Sequence, residues 1–154
     1  DKLWRKRSNT MSNLLVQNIK HTNNTTSMSI DTSGQISVRG ESSATTTSLQ
    51  QGLVKCWAKF DGEGTVAIND SFNVGGLTDN GTGDYSITIT NDFANVHYAA
   101  VTDNESHSGH LSMLYGEGDS DRYATGIFRT YIVETSGGVT DSNIVTNILT
   151  GDLA

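Results

Sequence analysis

The chain has 154 residues, 34% of them apolar and 18% charged, with 16 glycines, one cysteine and no proline. Ser, Thr, Asn and Gly fill much of the balance, which disfavours a helical bundle and a Pro-rich linker and suits β-structure with polar outer faces. The formal charge of −7 is uneven, with four of ten basic residues inside residues 1–10, so the acidic remainder repels phosphate and excludes a general nucleic-acid-binding role.

Residues 1–10, DKLWRKRSNT, read as a basic arm in which Lys2, Trp4, Arg5, Lys6 and Arg7 could dock on an acidic partner. The bland reading of such an arm is a solvated, frayed terminus. The first residue is Asp1, and Met11 is an alternative start. Residues 11–52 read as an N-terminal strand and hairpin followed by a polar connector. After LLVQNI (residues 14–19), Met28 and Ile30 alternate with serines, DTSG supplies turn chemistry, and Ile36 and Val38 resume the alternation. This pattern predicts a hairpin with Gly34 at positive φ. Its apolar face is too small to stand alone, so it must pack on the rest of the chain or on another subunit. GESSATTTSLQQG (residues 40–52) has no periodicity.

Residues 53–154 are a succession of alternating runs: LVKCWAKF, TVAI, FNV, YSITI, VHYAAV, HLSMLY, TGIFRTYIV and SNIVTNIL. In the first, Val54, Cys56, Ala58 and Phe60 share one face, and Leu53, Lys55, Trp57 and Lys59 the other. Tyr85, Ile87 and Ile89 form a second such face. Short strands at this spacing, parted by Gly, Asp, Asn and Ser, predict an all-β fold. The expected architecture is an antiparallel, jelly-roll-like β-sandwich preceded by the small N-terminal hairpin element.

The stretch SFNVGGLTDNGTGDYSITIT (residues 71–90) raises the question of a metal or phosphate loop. It lacks the alternating acids and late Glu of a helix–loop–helix calcium site, and a strand follows it where a dinucleotide loop needs a helix. Asn80-Gly81 is instead a turn signal. His107 and His110 fall where a loop enters a strand, so their side chains diverge, and no metal site is expected. Cys56 lies in an apolar run and reads as an inert buried thiol. A Ser nucleophile has no G-x-S-x-G elbow to hold it. Glu117, Asp119 and Asp121 are the densest acidic cluster, flanked by Tyr115 and Tyr123, and read as a solvated loop. Core or corner packing is the default for Trp57, Tyr115, Tyr123 and Tyr131. No catalytic residue, cofactor or metal ligand is assigned. No apolar run reaches the roughly 20 residues of a membrane-spanning helix, so membrane insertion is not expected.

VKCWAKFDGEGTVAINDSFNVGGLTDNGTGDYSITITNDFANVHYAAV (residues 54–101) resembles a module of bacteriophage virion proteins, in particular marine phage tail-fibre-like proteins. The shared pattern runs through Trp57, Phe60, Gly62, Gly64, Thr65, Val66, Ile68, Ser71 to Val74, Thr78 to Gly81, and Gly83 to Tyr85. The chain departs from it at His97, which interrupts an A-N-Y spacing. The closing GGVTDSNIVTNILTG and the opening residues 14–38 are similar to the corresponding parts of such fibre-like proteins.

The resemblance implies a non-enzymatic virion structural protein assembled in the bacterial host cytoplasm. It points first to a tail-fibre or fibre-like appendage subunit, a homotrimer by analogy. Residues 1–39 would then attach to other virion proteins. The loops carrying Asn104, Glu105, His107, Glu117, Asp119, Asp121 and Tyr123 would face outward, toward the host surface and its glycans. The alternative is a capsid decoration or cement protein stabilising the head. A third reading is a carbohydrate-binding or depolymerising domain, the latter needing a carboxylate pair such as Asp119 and Asp121.

Overall fold

The computed structural model describes residues 17–39, 46–105, 110–113 and 124–154. The chain divides into two compact units, Asp1–Leu49 and Gln50–Ala154. In the first, strands β1 (Asn18–Lys20), β2 (Thr26–Ile30), β3 (Ile36–Arg39) and β4 (Thr46–Ser48) form an antiparallel meander in that order. The β2–β3 turn is set by Asp31, whose carboxylate accepts the N–H groups of Ser33 at 2.8 Å and Gln35 at 2.9 Å. Gly34 takes φ +79°, a conformation that costs other residues a Cβ clash. Met28 pairs with Val38 and Ile30 with Ile36, as the alternation predicts. Among the described residues of this unit, none is fully buried.

The second unit opens with a 3₁₀ turn, Gln50–Gly52, and continues as eight strands. These are β5 (Cys56–Asp61), β6 (Ala67–Phe72), β7 (Val74–Gly81), β8 (Asp84–Ile89), β9 (Ala99–Asn104), β10 (His110–Met113), β11 (Ile127–Glu134) and β12 (Val145–Thr150). They form two antiparallel sheets, β6-β5-β12-β9 and β10-β11-β8-β7. The result is the all-β sandwich expected from the alternation. The inner faces supply the core: Cys56, Ala58 and Phe60 from β5, Tyr85, Ile87 and Ile89 from β8, Phe128 and Ile132 from β11, and Val145 and Leu149 from β12. Phe60 meets Tyr85 edge-on across the sheets, with ring centroids 5.3 Å apart.

Three of the strand connections are hairpins and the others switch sheets. The β6-to-β7 switch is a single residue, Asn73, at φ +60°. Asparagine is one of the few side chains that visit this region readily. Its amide donates to the carbonyls of Lys55 and Asn91, both at 3.0 Å, and its oxygen accepts the Asn91 backbone N–H at 2.8 Å. One side chain therefore joins the start of β5 to the loop after β8. That loop folds Phe93 and Tyr98 into the core, stacked with centroids 4.3 Å apart. His97 itself is exposed, so the interrupted A-N-Y spacing leaves Tyr98 as the buried aromatic.

The β11-to-β12 connection is tied down by Asp141. Its Oδ1 accepts the Gly83 N–H at 2.7 Å and the Tyr85 hydroxyl at 2.8 Å. The same hydroxyl lies 2.7 Å from the Gly62 carbonyl. A Cβ on Gly62 would stand 2.6 Å from the Tyr85 ring, so the close approach requires glycine. In the interior, the Thr130 hydroxyl donates to Asn147 Oδ1 at 2.9 Å, bridging β11 of one sheet and β12 of the other. Both residues are wholly buried, and Asn147 Nδ2 has no partner among the described residues.

Several expected boundaries move. The strand expected at residues 53–60 begins at Cys56, leaving Leu53 and Val54 exposed. The run TVAI contributes only its end, because Gly64 at φ +59° extends the turn before β6. The turn expected at Asn80-Gly81 lies two residues later, at Thr82-Gly83, since β7 runs, with a bulge between Asp79 and Gly81, through Gly81. Trp57 and Tyr131, for which core or corner packing is the default, are half-buried on outer faces, opposite in parity to the inward-pointing Ala58 and Thr130.

Candidate functional site

The period-two rhythm that fills the core also fixes what each sheet shows outward. On β8, Asp84, Ser86 and Thr88 point away from the core; on β11, so do Ile127, Arg129 and Tyr131. The register sets Thr78 of β7 opposite Ser86, and Ser86 opposite Arg129. Asn80, two positions on from Thr78, shares this face by alternation, and its Nδ2 donates to Ser86 Oγ at 2.8 Å and lies 3.3 Å from Asp84 Oδ1. Together these side chains border an open depression of about 290 Å³, with Thr88, Ile127 and Ala124 along its other side.

Its electrostatic anchor is a two-point ion pair. Arg129 donates Nε to Asp84 Oδ1 at 2.7 Å and Nη2 to Asp84 Oδ2 at 2.5 Å. The fork geometry suits a carboxylate and gives strength and direction that a lysine would not. Burial on its own raises the Asp84 pKa, but hydrogen bonds from Arg129, Asn80 and Tyr131 with the Arg129 charge outweigh it, and the net direction is downward. With four donors converging on it, this carboxylate is a fixed structural anion and a poor proton acceptor. The Arg129 guanidinium also lies over the Tyr131 ring, 5.1 Å from its centroid.

The outer face of the other sheet has a different character. Phe72 pairs with Trp57, Trp57 with Ile148, and Ile148 with Val101, so one apolar row crosses all four strands. Val101 is 65% exposed, Phe72 54% and Ile148 39%. The next row is Asp70, Lys59, Thr146 and Asp103, carrying both signs of charge.

The residues singled out from sequence fall mostly elsewhere. Lys2, Trp4, Arg5, Lys6, Arg7, His107, Glu117, Asp119, Asp121 and Tyr123 lie outside the described residues. Asn104 ends β9, and Glu105 follows it, donating its N–H to the Ile144 carbonyl at 2.9 Å; neither lines the depression. Asp79 pairs with Tyr85 while Asp84 points to the opposite side, so the two acids flanking the Gly-rich turn do not converge. Among the described residues, no group of three or more His, Cys, Asp or Glu is placed to hold a metal.

Sequence reasoning passed over Arg129 and the apolar row. The signal for Arg129 was a single charge inside the run GIFRTYIV, at an outward position between two inward ones. The signal for the row was present only one strand at a time, because its members are brought together by register. No family model, curated protein or solved structure matches the chain.

Proposed function

We propose that the chain is a non-enzymatic virion subunit, a tail-fibre or fibre-like appendage that associates with further copies of itself as a homotrimer and presents its β-sandwich to the host surface. Its context comes from the sequence resemblance to phage fibre-like proteins. The structural observation that carries it is an exposed apolar row on the sandwich, beside an apolar face of the N-terminal unit that is only half-buried.

In the sandwich, the row Phe72–Trp57–Ile148–Val101 is a contiguous apolar patch in which Val101 is 65% and Phe72 54% exposed, and the main apolar patch of a chain is often functional. It reaches both edge strands, whose charges Asp70 and Asp103 lie in the next row. The occupant is a second copy, because the flanking row offers Lys59 together with Asp70 and Asp103, and a shifted copy brings opposite signs together. In the N-terminal unit, the face carrying Met28, Ile30, Ile36 and Val38 has no fully buried member, the condition of strands that gain burial by assembly.

The test is the mass of the full chain in solution by sedimentation velocity, beside Phe72→Asp and Val101→Asp. A species near three times 16.5 kDa that falls to monomer in both variants supports the reading. A monomeric wild type at about 100 μM, well above the Kd of a specific subunit contact, overturns it. Antibody labelling of particles separates the locations: copies at the tail agree with an appendage, and an array over the head replaces it with the decoration role.

A further inference from the structure

We infer that the depression bordered by Thr78, Asn80, Ser86, Thr88, Ile127 and Arg129 is a binding subsite for a neutral pyranose sugar. This deepens the attachment reading and rests on it, by naming where a host glycan would be held.

Size comes first. About 290 Å³ lies just below the roughly 300–1,000 Å³ typical of small-molecule sites, so the depression has room for a small ligand such as a single sugar ring. The lining chemistry is more selective. Ser86, Thr78 and Thr88 present hydroxyls and Asn80 a carboxamide, groups that both donate and accept, as a sugar hydroxyl does. Ser86 accepts from Asn80 at 2.8 Å, which leaves its own O–H to donate outward. Ile127, exposed, and Ala124 give the same depression an apolar side against which the C–H face of a pyranose can lie.

Charge decides between neutral and acidic sugars. Among the described residues, the cation on the rim is Arg129, which Asp84 holds in a two-point pair, so these residues turn no uncompensated positive charge toward a ligand carboxylate or phosphate. The body around it is strongly acidic, which adds repulsion against any anion. The pair instead makes the floor rigid: Asp84 fixes Arg129, and Asn80 is fixed by Asp84 and Ser86. Donors and acceptors already in place lower the ordering cost of binding a small polar ligand.

The experiment uses the full chain, isotopically labelled, titrated with methyl glycosides of glucose, galactose, mannose and N-acetylglucosamine, and with glucuronic acid as the acidic comparison. The readout is the shift of the Asn80 side-chain amide and Arg129 Nε–H resonances, with Asn80→Ala and Thr88→Trp as variants. Both positions are exposed, so the fold tolerates change there, and each variant is checked by its far-ultraviolet spectrum. At least one neutral glycoside is expected to shift both resonances saturably, with affinity at least tenfold weaker in both variants. Three results overturn the inference: no shift with any of the four, wild-type affinity in the variants, or equal or tighter binding of glucuronic acid. Failure here leaves the solution mass and particle labelling unchanged, so it is distinguishable from failure of the appendage reading.

Discussion

Replacing Tyr85 by Phe isolates one hydroxyl that ties three connections together. The ring is 1% exposed, and its hydroxyl sits 2.7 Å from the Gly62 carbonyl and 2.8 Å from Asp141 Oδ1. Both are acceptors, so the single phenolic proton serves both, and Phe leaves each without it. Gly62 is buried at the end of β5, and water does not readily replace the lost donor. A hydrogen bond to a charged group contributes roughly 1.5–3 kcal/mol and an abandoned buried acceptor costs in the same range, so about 2 kcal/mol is expected. Asp141 keeps the Gly83 N–H at 2.7 Å, which is why the loss is not larger. In a unit of about 100 residues this lowers Tm by about 8 °C.

The same hydroxyl gives a pH signature. Burial first, then the hydrogen bond and negative charge of Asp141, push the Tyr85 pKa upward. The folded state therefore holds the phenolic proton more tightly than the unfolded chain does. Its contribution is complete below the unfolded pKa near 10 and is lost as pH rises above it toward the folded value. Urea titrations followed by circular dichroism at pH 7 and pH 10.5 measure both effects. Tyr85→Phe should be less stable at pH 7 and should lose less on going to pH 10.5 than wild type. A loss under about 0.5 kcal/mol at pH 7, within the range of an ordinary surface change, would refute the argument.

Three further outcomes follow from the core and its crossovers. Burial pushes the Cys56 thiol up to about 11, so stability falls as pH climbs from about 9 to 11; Cys56→Ala should remove that component in the same titrations. Thr130→Val alone should cost about 1–3 kcal/mol, because it adds an abandoned Asn147 Oδ1 to an Nδ2 already without a partner among the described residues, whereas Thr130→Val with Asn147→Leu should come back to within about 1 kcal/mol of wild type in urea melts. Asn73→Ala should be the most damaging of the set, at about 3 kcal/mol, and Asn73→Gly should recover about 1 kcal/mol of it by relieving the φ +60° strain, as read by thermal unfolding.

What the sequence disclosed and what it withheld divide along one physical line. Alternation is local, so the inward set Cys56, Ala58, Phe60, Tyr85, Ile87 and Ile89 could be read before any partner strand was known. Gly34 could be read too, since a turn that needs positive φ selects its residue within four positions. Pairing is not local. Asp84 and Arg129 stand 45 positions apart, and only the β8–β11 register brings them together. Asn80 shares the face of Thr78 by alternation, but only the fold of β7 back on β8 sets its side chain beside Ser86 and Asp84. Trp57 and Tyr131 show the cost of a composition-based default: large aromatics are usually buried, but their outward parity was the better guide.

The two outer faces therefore carry information of a kind that the core does not. Inner positions must be apolar for the sandwich to form at all, so their content says little about role. Outer positions are free of that demand, and the two sheets have used the freedom in opposite ways. One shows Phe72, Trp57, Ile148 and Val101 in a row, and the other shows Asn80, Ser86, Thr88 and a neutralised Asp84–Arg129 pair. In a sandwich these faces point in opposite directions, so covering the apolar one with a second copy leaves the polar one open. The separation makes the two proposals experimentally independent: Val101→Asp is expected to change solution mass without touching the depression, and Thr88→Trp to fill the depression without touching the row. A variant that abolished both at once would mean that the sites are coupled through the fold, against the geometry of two sheets packed back to back.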